Sequence, residues 1–233
     1  MIKNNAFYRD KHYEHLERCQ LCEVAAAKHQ LELGFRDSWV LDIATHTVDF
    51  ENQLNKQNTE DAEYHGAVAD LRAKRSTMNG LISSAKLMIK TIINDPALGA
   101  GDRRMIADIF TSERAHNVNS YDSLHDVAAD ILTGQQKLVD IGAVWKLPDA
   151  VIANLTVTLT AMENAREFAH TAHSEKIGAT ETLRQMRTFG ETLLRSIYCW
   201  TIAVWGNDDP RLLEFGFVPK SMISTPKNPV EPE

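Results

Sequence analysis

Apolar residues recur three and four positions apart along most of this chain. Val40, Ile43, Phe50 and Leu54, with Thr47 between them, form one run. Val68, Leu71, Met78, Leu81, Ile82, Ala85, Ile89 and Ile92 form the next. Farther on the spacing returns at Ile152, Leu155, Leu159, Met162 and Ala169, then at Leu183, Met186, Phe189, Leu193, Ile197, Trp200 and Val204. This period places each set on one face of a helix, and no segment alternates with the period of a strand. The pattern predicts helices over 7–33, 37–58, 67–94, 122–141, 149–172 and 179–205, with a short connecting helix over 102–110. Punctuation agrees with these bounds. Gly34 and Gly142 suit left-handed caps, and Asp37 and Asp149 suit N-caps. Asp95-Pro96 and Asp209-Pro210 stop helices, because proline lacks an N–H and disfavours helical geometry before it. Gly66 and Gly178 mark the expected turns inside 58–67 and 172–179.

The six helices are two sets of three. Shifted by 112 positions, 37–84 falls on 149–196 without a gap, and twelve of the 48 positions are identical. Chance would give about three, so the chain carries an internal repeat. The expected fold is all-α: a helical bundle built by duplication of a three-helix repeat about a pseudo-two-fold axis. The repeats span 1–101 and 102–218, packed as one bundle, and 219–233 reads as a proline-rich disordered tail. Glu51 and Arg72, like Glu163 and Arg184, are identical between the copies and would face each other across the expected turns as register-fixing ion pairs.

Composition narrows the class. The hydrophobic share is 43%, the charged share 24% and the net charge −7. That acidity argues against nucleic acid, whose phosphates call for a basic footprint. The first seventeen residues lack the apolar segment of a signal peptide, and no apolar run is long enough to span a bilayer, so no membrane partner is expected. Three cysteines are too few for a disulfide scaffold and suit a reducing cytoplasm.

The sharpest candidate for chemistry is His12, His15, Cys19 and Cys22. Imidazole and thiolate suit zinc. On one helix all four share a stripe, but the first and last stand roughly 15 Å apart along the axis, too far for one ion. The helix can offer adjacent pairs, and other ligands must come from a neighbouring helix, a helix break or another subunit. The plainer reading is two half-buried cysteines on a core stripe beside solvated histidines. The equivalent region of the second copy has no cysteine. A second constellation pairs Glu113 with His116 and Glu167 with His170, the spacing used by di-iron carboxylate bundles, with Glu163 one turn earlier. Cys199 in an apolar helix reads as packing, and Trp200 and Trp205 as core. No phosphate loop, dinucleotide fingerprint or nucleophile elbow occurs.

The stretch 204–220 holds Trp205-Gly-Asn-Asp-Asp-Pro210, then Phe215-Gly-Phe-Val-Pro219. It resembles the ending of a group of uncharacterised bacterial helical proteins. The resemblance covers about seventeen residues and implies helical architecture and no particular activity. With no catalytic motif, the leading expectation is a non-enzymatic scaffold or interaction protein that self-associates as a homo-oligomer. A metal or redox protein using His12, His15, Cys19 and Cys22, with zinc as cofactor, is the alternative. A di-iron enzyme stands third.

Overall fold

The structure is a computed structural model that describes residues 3–111 and 120–223, with side chains from residue 11 onward. It is all-α: helices α1 (Lys3–Leu33), α2 (Asp37–Ile93), α3 (Ala100–Ile109), α4 (Tyr121–Asp140) and α5 (Asp149–Trp205) are followed by 3-10 turns at Pro210–Phe215 and Lys220–Met222. No strand occurs among the described residues. No helix among them is long and apolar enough to cross a membrane.

The ends predicted at Gly34, Gly142 and the two Asp-Pro pairs hold. Gly34 and Gly142 adopt φ of 63° and 66°, which side chains other than glycine resist. The Phe35 amide donates to Gln30 and the Ala143 amide to Leu138, closing α1 and α4 with the same six-residue loop. Both Asp-Pro stops form one local structure. The Asp95 carboxylate accepts from the Ala97 amide at 2.8 Å, and that of Asp209 from the Arg211 amide at 2.9 Å.

The expected turns at Gly66 and Gly178 are absent. α2 and α5 each run 57 residues without a break. Both glycines are exposed in mid-helix with open space where a Cβ would stand. A helical glycine costs only about 1 kcal/mol against alanine, and buried residues on both sides outweigh that. The two Glu–Arg register pairs therefore do not form. Glu51 and Arg72 lie on one helix, roughly 30 Å apart at 1.5 Å per residue. Arg184 pairs with Glu181, three residues before it, and Glu163 stands 3.0 Å from His125.

The chain divides into two compact units that cut across the sequence halves. One comprises Met1–Asp61 and Glu175–Glu233, the other Ala62–Ser174. The second unit has an ordinary apolar core. Met78, Ile82, Phe110, Leu124, Val127, Ile131, Leu155 and Met162 are all buried in one cluster. Gln135 pins the chain entering α5 by accepting from the Leu147 amide at 3.0 Å.

In the first unit, α1 packs with the N-terminal part of α2 and the C-terminal part of α5. The segment after α5 folds back onto α1. Phe215 is fully buried, and Phe217 stacks on it at 5.9 Å. Glu214 meets Lys28 at 2.6 Å and His29 at 2.9 Å, while Arg211 bridges Asp209 and Glu32 over the Trp205 ring. The Trp200 indole N–H, in a half-exposed side chain, donates to the Leu33 carbonyl at 2.7 Å. Cys199 is exposed, not packed as its apolar neighbours suggested. Pro219 is buried and Lys220–Met222 forms a turn, so the start of the expected tail is structured. The remainder of that tail lies outside the described residues.

Candidate metal site

The α1 stripe faces inward. His12, His15, Cys19 and Cys22 are all buried, Cys19 and Cys22 completely. The histidines are therefore not solvated, as the plainer reading of the sequence held. One turn of helix separates His15 from Cys19, and Cys19 Sγ lies 3.5 Å from His15 Nε2. The third member comes from α2. His46 sits between buried Ile43 and Phe50, and its Nε2 is 3.3 Å from His15 Nε2. The three ligand atoms all lie within 4.8 Å of one another.

Two of the four predicted stripe residues thus join a cluster, and the ligand from a neighbouring helix is His46. His12 and Cys22 are not among its mutually close atoms. His12 tilts against Phe50 with ring centres 6.1 Å apart, and its Nδ1 is buried with no hydrogen-bond partner. Cys22 packs among Ala25, Ala26 and Phe35. The signal for His46 was its place one turn from Ile43 on an inward face, but Thr47 occupied the same face in the pattern.

α5 completes the pocket by what it lacks. A Cβ on Gly190 would stand 2.1 Å from His46 Nε2 and 2.5 Å from His15 Nε2, far inside any contact distance. Only a residue without a side chain leaves room there for the two imidazoles. Phe50 and Phe189 wall the cluster, with His15–Phe50 and His46–Phe189 ring centres 4.8 and 5.7 Å apart.

Burial sets the protonation. It holds His15 down to about 4, with His46, Arg187, His12 and Arg18 adding to the effect. His12 is lowered by burial and then by Arg187, and His46 by burial. All three imidazoles are neutral at pH 7, the form that donates a lone pair to a metal. Burial, assisted by Glu23, pushes the Cys19 thiol up to about 12; Cys22 is raised by burial and by Cys19. Without a metal, Cys19 is a thiol and the cluster carries no charge.

Only one half of the carboxylate constellation falls within the described residues. Glu163, Glu167 and His170 are exposed on α5 and join no group of ligand atoms close enough to share an ion among the described residues. Glu113 and His116 lie outside the described residues.

Counted 112 residues from His12, His15, Cys19 and Cys22 stand Leu124, Val127, Ile131 and Gly134, and 112 residues before Gly190 stands Met78. All five are buried in the second unit. No family model, curated protein or solved structure matches this chain.

Proposed function

We propose that this protein binds a transition-metal ion, zinc foremost, through His15, Cys19 and His46. The observation that carries this reading is a pair of distances. Nitrogen ligands at about 2.05 Å and a thiolate at about 2.3 Å around a tetrahedral ion stand roughly 3.3 Å apart for N–N and 3.6 Å for N–S. The cluster has 3.3 Å for His15–His46 and 3.5 Å for Cys19–His15. Two neutral imidazoles sharing a weak hydrogen bond would also stand so, but that leaves the thiol beside them and the space over Gly190 without a reason.

The duplication supports the same reading. Ile43/Leu155, Phe50/Met162, Ala67/Ala179, Ile82/Leu194 and Ala85/Ile197 are pairs 112 residues apart, and every member is buried. We read the two compact units as copies of one core assembled from exchanged segments. In one copy the core is apolar. In the other, two imidazoles and a thiol replace Leu124, Val127 and Ile131, and glycine replaces Met78. Burying polar groups without full hydrogen bonding costs about 1–3 kcal/mol each. An apolar alternative exists in the same chain, so the polar set has a use that stability does not supply.

Three protein ligands leave a fourth position for water or another molecule, the arrangement of an open site and not of a closed structural one. Binding needs the Cys19 thiolate, so one proton leaves for each ion bound. Titrating chelator-stripped protein with zinc should give one ion per chain. Between about pH 7 and 9 affinity should rise close to tenfold per pH unit, because only Cys19 deprotonates. His46→Ala and Cys19→Ser should each abolish the tight phase, and Cys22→Ser should keep it. If Cys22→Ser loses zinc and His46→Ala does not, the site is wrong. If no ion binds at all, the self-associating helical scaffold is the reading that stands.

A further inference from the structure

A cavity of about 410 Å³ opens beside the metal cluster, with His15 in its wall. α1 contributes Lys11, Glu14 and Arg18; α5 contributes Arg187, Glu191 and Arg195. Four cations against two carboxylates leave a surplus of two positive charges, in a chain whose net charge is −7. The surplus can be located. Arg187 pairs with Glu191 at 2.8 Å. Arg18 and Arg195 form no hydrogen bond or ion pair among the described residues. Both are exposed side chains that the cavity gathers from two helices.

Part of the lining is apolar: Tyr198 and Phe217 meet edge to face at 4.9 Å, and Leu194 lines the cavity with them. Phe217 is there because the folded-back ending puts it there. Gly216 has a φ of 73°, and a Cβ on it would stand 3.3 Å from the Leu21 side chain. The ending that resembles a group of helical proteins therefore builds a wall of this cavity as well as closing α1.

A guanidinium with free N–H groups matches the planar oxygens of carboxylate and phosphate, and an aromatic face beside it accepts an apolar group. We propose that this cavity binds a small organic oxyanion, a carboxylate or phosphate attached to an aromatic or aliphatic group. Arg18 and Arg195 hold the charged end, and Tyr198 and Phe217 receive the apolar part. Its volume suits a small molecule, and the chain's net charge of −7 disfavours polyanions. The inference stands on the cavity and does not require the metal.

The test is isothermal titration calorimetry of the full chain, stripped of metal by chelation, at low salt. The probes are phenyl phosphate, phenylacetate, inorganic phosphate and benzylamine. At least one aromatic oxyanion should bind one to one, about tenfold or more tighter than inorganic phosphate, with benzylamine inert. The stronger arm decides between phosphate and carboxylate. The double variant Arg18→Ala/Arg195→Ala should lose about tenfold or more in that affinity while keeping the wild-type midpoint of urea unfolding, which shows that it is folded. Binding unchanged in the double variant overturns the proposal, as does equal binding of benzylamine. Failure of both aromatic oxyanions overturns it too. Because the stripped protein is used, loss of the metal reading would leave this result intact.

Discussion

Gly190→Ala and Gly178→Ala make the same change twelve residues apart on α5, and the cluster requires them to differ. At Gly178 the added methyl meets nothing within 4 Å. There alanine lowers the chain entropy of the unfolded state and should stabilise by about 0.5–1 kcal/mol. At Gly190 the methyl lands 2.1 Å from His46 Nε2, where ordinary carbon contacts need about 3.5 Å. The imidazoles must move by more than an ångström between Phe50 and Phe189, and overpacking of this kind costs about 1–3 kcal/mol. The helix-propensity gain is common to both variants, so their difference isolates the steric cost. Urea unfolding with a shared slope measures it. The second readout is zinc. At about a hundred times its dissociation constant a bound ion adds about 2.7 kcal/mol of stability. Wild type and Gly178→Ala should gain that increment, and Gly190→Ala should gain little, because its nitrogens are forced apart. Equal stability of the two variants, with equal zinc increments, would refute the reasoning.

Two further outcomes follow from the same residues. Metal-free stability should fall as pH drops from 6.5 toward 4. The unfolded histidines take up protons near 6.5 while buried His15 resists until about 4, so the stabilisation is full above 6.5 and is lost on the acid side. His15 alone accounts for at most about 3 kcal/mol over that interval, and a His15→Val variant should show a correspondingly flatter profile by urea titration. Replacing the cluster with the residues of the other unit should yield a folded protein that ignores zinc. The variant is His12→Leu, His15→Val, Cys19→Ile, His46→Thr and Gly190→Met. Its metal-free stability should exceed wild type by about 1–3 kcal/mol; an unfolded product would sink the equivalence of the two cores.

The sequence pattern exposed the helices and their ends because those depend on local chemistry. Gly34, Gly142 and the two Asp-Pro stops act through their own backbone, and each does what its residue type dictates. The continuity of α2 and α5 was hidden because a glycine in a polar stretch looks the same whether the helix ends there or continues. What decides it is burial before and after, at Leu54 and Ala67 in α2 and at Ala172 and Ala179 in α5. The cluster was half legible. His15 and Cys19 share a turn, so their pairing is a property of one helix. His46 is 31 residues from His15, and no spacing rule reaches across that distance. Gly190 was silent for a stronger reason: its role is the absence of a side chain, and that has meaning only once its neighbours are known.

Charge links the cluster to the cavity beside it. Metal-free, the cluster is neutral: two neutral imidazoles and a thiol that burial keeps protonated, with neutral His12 nearby. A divalent ion that expels one proton leaves a charge of +1 in a buried setting, close enough to Arg187 that the two repel. The protein answers part of this with Glu191, which pairs with Arg187. It does not answer Arg18 or Arg195. An oxyanion in the cavity would offset both the arginines and the residual charge of the metal site, and each ligand would then favour the other by the same factor. The fourth position of the proposed site and the two arginines without a carboxylate partner among the described residues thus pose one electrostatic problem, and a single small anion would offset both.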